Sequence, residues 1–313
     1  MSTKKNNEIK VPVFMTKPLD REIELFEINR AEMVDNIIRS IQFFNESKRK
    51  IVIENPNKNY VYEIVDVLPE RETMGDVPVI LLQISAHKTN MGDGYIDLGE
   101  KVPVTKEMKI GSDHHFALMY PIIVRGKKRY KSYWDIFVYD DPNKESEELI
   151  RIVKTTAKEV LDLKVANLKQ KDFVEEIKKY NIIPNVSMSF NSVQMINDEF
   201  GASFEGHLVS GKITTRKELN INKLPFDKLN TYLEDDSDIT IKRKVFNITI
   251  GKKEYKVSKA IKKDIKRASE KYSILIESIF NESIEISDEE KDDIYKPEFI
   301  MNKLKSVVAN YLS

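Results

Sequence analysis

The chain has 313 residues, enough for one large domain or two modest ones, and its 41% hydrophobic and 33% charged content is that of a folded rather than a disordered protein. Its 51 basic side chains balance 51 acidic ones, which excludes a uniformly polycationic nucleic-acid binder and leaves room only for local patches. The absence of cysteine excludes disulfides, thiolate nucleophiles and cysteine-based metal sites. With no signal-peptide core in MSTKKNNEIKVPVF and no run of about 18 apolar residues, the expectation is a cytoplasmic protein without membrane contact.

In chain order, VPVFM and EIELFEI predict short strands around the Lys17-Pro18 turn. AEMVDNIIRSIQFF then puts Val34, Ile37, Ile38, Ile41 and Phe44 at helical spacing. Five strand patterns follow: KIVIE, YVYEIVDVL, VPVILLQIS, HFALMYPIIV and YKSYWDIFVYDD. The turn-rich segments ENPNKN and NMGDGYIDLGE interrupt them. Short connections between these runs predict a largely antiparallel sheet. After Pro142 the period changes, and Leu149, Ile152, Val153, Thr156, Ala157, Val160 and Leu161 form a helical stripe, with DFVEEIKKY as a second helix. Strand patterns return over 185–257, where FNITIGKKEYKV reads as a hairpin.

Ser258 is the expected cap of a long helix carrying Ile261, Ile265, Ala268, Tyr272, Leu275, Ile276 and Ile279, and a last helix starts near Pro297. The expected fold class is α+β: a largely antiparallel sheet with an N-terminal helix, then helices, a second β region and two C-terminal helices. The domain boundary is expected at 143, giving residues 1–143 and 144–313.

Four short motifs carry candidate chemistry. Asp113-His114-His115 resembles, over three residues, the cluster of the DHH phosphoesterases. No early aspartate pair and no C-terminal glycine-rich histidine motif accompanies it. It is read instead as the entrance of a strand, with neighbouring side chains on opposite faces. Gly206, Gly211 and Lys212 have Walker A spacing, but Ile213 stands where the magnesium-binding hydroxyl belongs. Asp135, Asp140 and Asp141 could pair as acid and base, although Asp-Asp-Pro-Asn is also ordinary turn composition.

The order Asp238, Glu254, Lys256 is similar to the PD-(D/E)xK nucleases. That resemblance implies acidic groups holding Mg²⁺ and a lysine orienting water; no other cofactor is expected.

Charge segregation is the leading functional signal. Residues 252–271 hold nine Lys/Arg against three Asp/Glu, and residues 277–298 hold nine acids against two Lys. Lys259, Lys262, Lys263, Lys266 and Arg267 lie off the apolar stripe of the expected helix and form a candidate phosphate-binding face. Arg125, Lys127, Lys128, Arg129 and Lys131 form a second cluster beside Tyr130, Tyr133 and Trp134, a pairing of cations and aromatics suited to single-stranded DNA or RNA. The expected function is an intracellular accessory protein that binds nucleic acid or a protein partner, in a bacterial phage-defence or mobile-element setting. The alternatives are a Mg²⁺-dependent nuclease and an assembly subunit that pairs with its own copy through the segregated charges.

Overall fold

The computed structural model describes residues 8–19, 29–54, 61–89, 94–96, 100–102, 113–126, 129–168, 170–179, 182–196, 211–226, 241–264 and 269–313. The chain runs β1 (Glu8–Pro18), α1 (Arg30–Glu46), β2 (Ile51–Glu54), β3 (Val61–Met74), β4 (Val77–Thr89), β5 (Gly94–Ile96), β6 (Glu100–Val102), β7 (Asp113–Gly126), β8 (Arg129–Val138), α2 (Ser146–Glu159) and β9 (Leu163–Val165). It continues through β10 (Asn167–Leu168), α3 (Gln170–Ile177), β11 (Ile182–Ile196), β12 (Gly211–Pro225), β13 (Ile241–Ile250), β14 (Lys253–Asp264), β15 (Ser269–Glu285) and α4 (Pro297–Leu312). Two compact units result: Met1–Val165 with Asn281–Ser313, and Ala166–Phe280. The class is α+β with largely antiparallel pairing.

In the first unit the strand order is β1-β8-β7-β4-β3-β2, antiparallel throughout, with β9 also on β1. The β3–β4 turn needs only Gly75 and Asp76 between the paired Met74 and Val77, and Gly75 takes the left-handed φ of 60° that such tight hairpins demand. A bulge between Ile64 and Asp66 adds one residue to β3. Without it Val67 would turn outward; with it, Tyr62, Ile64 and Val67 are all buried.

Helices cover both faces of this sheet. α4 lies over the face of Phe137 and Tyr139: the Phe137 and Tyr311 rings meet edge-on at 5.4 Å, and the Tyr139 hydroxyl donates to the Ile294 carbonyl at 3.0 Å. Lys305 pairs with Glu72 on that face at 2.9 Å. α1 and α2 take the other face, where Asp35 pairs with Arg71 and Glu148 accepts from the Tyr62 hydroxyl at 2.8 Å. A strand covered on both faces gains from apolar residues at every position. That explains the apolar-rich runs in VILLQIS, FALMY and WDIFVY, whose Ile80, Leu81, Leu82, Leu118, Ile136 and Phe137 are all buried. Each such side chain contributes about 1.5–3 kcal/mol.

The second unit is the antiparallel sheet β12-β11-β13-β14-β15, with β10 alongside β15. α3 packs on it: Phe173 and Ile177 close a core with Val186, Ile248, Tyr255, Val257 and Ile276.

Two expectations about helices are corrected. The N-terminal helix α1 follows the strand β1, which VPVFM predicts, rather than opening the fold, and the long helix expected from Ser258 is the pair β14 and β15. Among the described residues one α-helix, α4, follows β15, after a short 3-10 turn at Asp288–Glu290. The segment 258–279 is rich in β-branched isoleucine; its two halves pair with each other from Ser258↔Leu275 to Asp264↔Ser269, and β13 extends that ladder at Ser258–Ala260. Tertiary pairing therefore overrides the helical spacing. Among the described residues no helix is long and apolar enough to cross a membrane.

Candidate nucleic-acid interface

The strands of the second unit alternate strictly. In NVSMSFNS, Val186, Met188 and Phe190 share one face while Asn185, Ser187, Ser189 and Asn191 share the other. On β12, Leu219 and Ile221 oppose Met188 and Val186, and Arg216, Glu218, Asn220 and Asn222 oppose the polar set. The apolar face holds the buried Ile248, Tyr255 and Val257 under α3. The polar face is open to solvent, since Asn247, Glu254, Lys256 and Leu275 are all exposed.

Further along the strands, the register puts cationic positions on the same side of the sheet, with Glu277 opposite Lys256 and Asp264 two residues past Lys262. One rung reads Arg216, Asn191, Arg243, Ala260, Ser273 across five strands. Two residues further along β14, Lys262 is directly opposite Lys271. Paired strands lie about 4.8 Å apart, so this register brings two cationic positions together on one face, a destabilising arrangement without an anion between them. The opposite face at the same level carries a second rung, Lys217, Phe190, Lys244, Lys259, Ile274, in which Lys244 opposes Lys259.

The cations singled out from sequence are thus redistributed. In a strand their spacing assigns Lys262 to the face of Lys256, and Lys259 and Lys263 to the other. Lys266 and Arg267 lie outside the described residues. Arg216, Lys217, Arg243 and Lys244 were missed because they join the patch only through long-range pairing. The alternation in TTRKELNIN was the available signal.

In the first unit, Arg125 and Lys131 are exposed on the β7–β8 hairpin and Arg129 is paired with Gly126; Lys127 and Lys128 lie outside the described residues. Trp134, expected to offer a stacking surface, is a core residue at 4% exposure, and its carbonyl accepts from the Thr16 hydroxyl at 3.1 Å.

Of the nuclease-type trio, Glu254 and Lys256 are both exposed on the open face of β14, where Glu254 opposes Thr249 and Lys256 opposes Asn247. Asp238 lies outside the described residues. The basic helix expected to follow this motif is the strand pair just described. Gly211, Lys212 and Ile213 begin β12, so no helix starts behind the glycine as a phosphate loop requires; Gly206 lies outside the described residues. His114 and His115 oppose Ser85 and Ile84 within β7. Among the described residues no group of three or more His, Asp or Glu side chains could hold a metal ion.

Comparison with known protein families, curated proteins and solved structures finds no match to this chain.

Proposed function

We propose that the chain binds single-stranded nucleic acid on the open face of its second sheet, with Arg216, Arg243, Lys256, Lys262 and Lys271 meeting phosphates and the Ser/Asn rows meeting sugars and base edges. The observation that carries this reading is the cross-strand register of Lys262 with Lys271, next to the rung that bears Arg216 and Arg243. A phosphate backbone supplies the anion such a register calls for. The neutral overall charge is compatible with this, because the excess is local.

The test is fluorescence anisotropy with a labelled single-stranded oligonucleotide. Replacing Arg243, Lys262 and Lys271 together by threonine, a good strand former, is expected to weaken binding about 100-fold at constant salt. Unchanged affinity in a variant with a wild-type urea midpoint would overturn the assignment. A second reading, Mg²⁺-dependent cleavage on the same face, draws on the shared exposure of Glu254 and Lys256. It requires product formation with Mg²⁺ that Glu254→Ala abolishes.

A further inference from the structure

One row of side chains in the first sheet runs under α4. Glu72 of β3 opposes Val79 of β4. Tyr120 of β7, one residue beyond the Ile80–Met119 pair, continues the row to Asp135 of β8, which opposes Met15 of β1. α4 spans it. Lys305 pairs with Glu72 at one end at 2.9 Å, and near the other the Tyr311 ring meets Phe137, two residues from Asp135, edge-on at 5.4 Å. Leu304, Val307 and Val308 of the same stretch are buried.

The two acids of this row are held differently. The hydrogen bond and charge of Lys305 keep the Glu72 carboxyl below the usual carboxylate range. Asp135 is 2% exposed, and among the described residues its carboxyl has no hydrogen bond and no ion pair. Around it β7 supplies Tyr120, β8 itself Tyr133, β1 Met15 and, two residues on, Lys17. α4 and β15 supply Tyr311 and Glu282: after burial, the charges of Asp135 and then Glu282 push the Tyr311 phenol up. Lys17 does not offset the desolvation, since burial pushes the Asp135 carboxyl up to about 6. The last turn of α4 adds no cation either, and a helix C-terminus carries partial negative charge.

We infer that α4 is a proton-operated clasp: its last turn docks on the sheet while Asp135 carries a proton and comes away when Asp135 ionises, uncovering Tyr120 and Phe137. Ionisation in the docked state leaves a desolvated charge beside Glu282 and the negative end of a helix. Moving the last turn aside admits the water that this charge needs. The Lys305–Glu72 pair holds the middle of α4 in place, so the motion is that of a hinged end rather than of the whole helix. Helix ends open at far lower cost than cores, so the charge acts on the segment least able to resist it. The inference is independent of the open-face reading, since all of these residues belong to the first unit.

Amide hydrogen exchange of the full chain at pH 5 and pH 7.5, corrected for intrinsic rates, tests it. With the Asp135 pKa at about 6 docked and 3.8 released, opening becomes about tenfold easier over that interval. Amides of Val308–Leu312 should therefore lose about tenfold in protection. Those of Ile37–Phe44 in α1 should not fall, because His115, with its pKa depressed to about 3, offsets Asp135 in global unfolding. Asp135→Asn should keep the end of α4 protected at both pH values. Carbon-13 titration of the Asp135 carboxyl in the wild-type chain, with a midpoint expected above 5, keeps the test open if that variant disturbs folding. Unchanged protection of Val308–Leu312 in the wild type, an equal loss in α1, a loss that persists in Asp135→Asn, or an Asp135 midpoint near 4 would each overturn the proposal.

Discussion

Asp135 sits on β8 between Met15 of β1 and Tyr120 of β7, at 2% exposure. Burial raises its pKa from 3.8 to about 6. The folded chain therefore keeps this proton to a higher pH than the unfolded chain does, and stability falls as pH rises from about 4 to about 6, by about 3 kcal/mol in all. Asp135→Asn should raise stability by roughly 2–3 kcal/mol at pH 7.5 and by little at pH 4, measured by urea midpoints. An equal gain at both pH values would show that the carboxyl is not held protonated by burial. His115 acts with the opposite sign. Its pKa is depressed to about 3, so the unfolded chain binds more protons and stability falls as pH drops from 6.5 toward 3. The two groups oppose each other through the mildly acidic range, so removing Asp135 should leave a clear acid-side decline. Tyr311 of α4 feels the same interior: burial first, then the Asp135 charge, pushes its phenol up.

At the scale of elements, the first half of β14 keeps the strand alternation read from the sequence, and sequence and fold part at Ser258. Tyr255 and Val257 are buried and Glu254 and Lys256 exposed, an alternation of period two. Val257→Ala should accordingly cost about 2–3 kcal/mol, while Lys256→Thr should stay within about 0.5 kcal/mol because threonine suits an exposed strand position. A loss above about 1 kcal/mol for Lys256→Thr in urea denaturation would count against an exposed strand position. Elements with one unambiguous period were readable in advance. Val34, Ile37, Ile41 and Phe44 line the buried stripe of α1; Leu149, Ile152, Val153 and Ala157 do the same for α2. The hairpin of β13 and β14 followed from ITIGKKEY, with Gly251 at φ 58° between the paired Ile250 and Lys253. The 258–279 segment satisfies both periods over part of its length, and local spacing cannot weigh the ladder that β14 and β15 make with each other and with β13. Part of the proposed surface was visible as a lysine-rich run. Arg216 and Arg243 were not, because β13 joins β14, and β12 joins by way of β11, only through long-range pairing.

Across the whole molecule, charge is balanced at 51 to 51 yet unevenly distributed, and the lysine-rich run of 252–264 falls on a strand rather than on a helix. A neutral chain has little long-range attraction for a polyanion, so any affinity must arise from the few cations that touch phosphates. Five cations on the open sheet face, Arg216, Arg243, Lys256, Lys262 and Lys271, set the scale of the effect. The most direct measurement is the affinity of the intact chain for a single-stranded oligonucleotide as a function of KCl concentration. If all five cations meet phosphates, log K should fall linearly with log salt with a slope of about −3.5, and the Arg243, Lys262, Lys271 threonine variant should flatten it to about −1.4. Affinity that is absent at about 50 mM KCl, or that is insensitive to salt, would contradict the account.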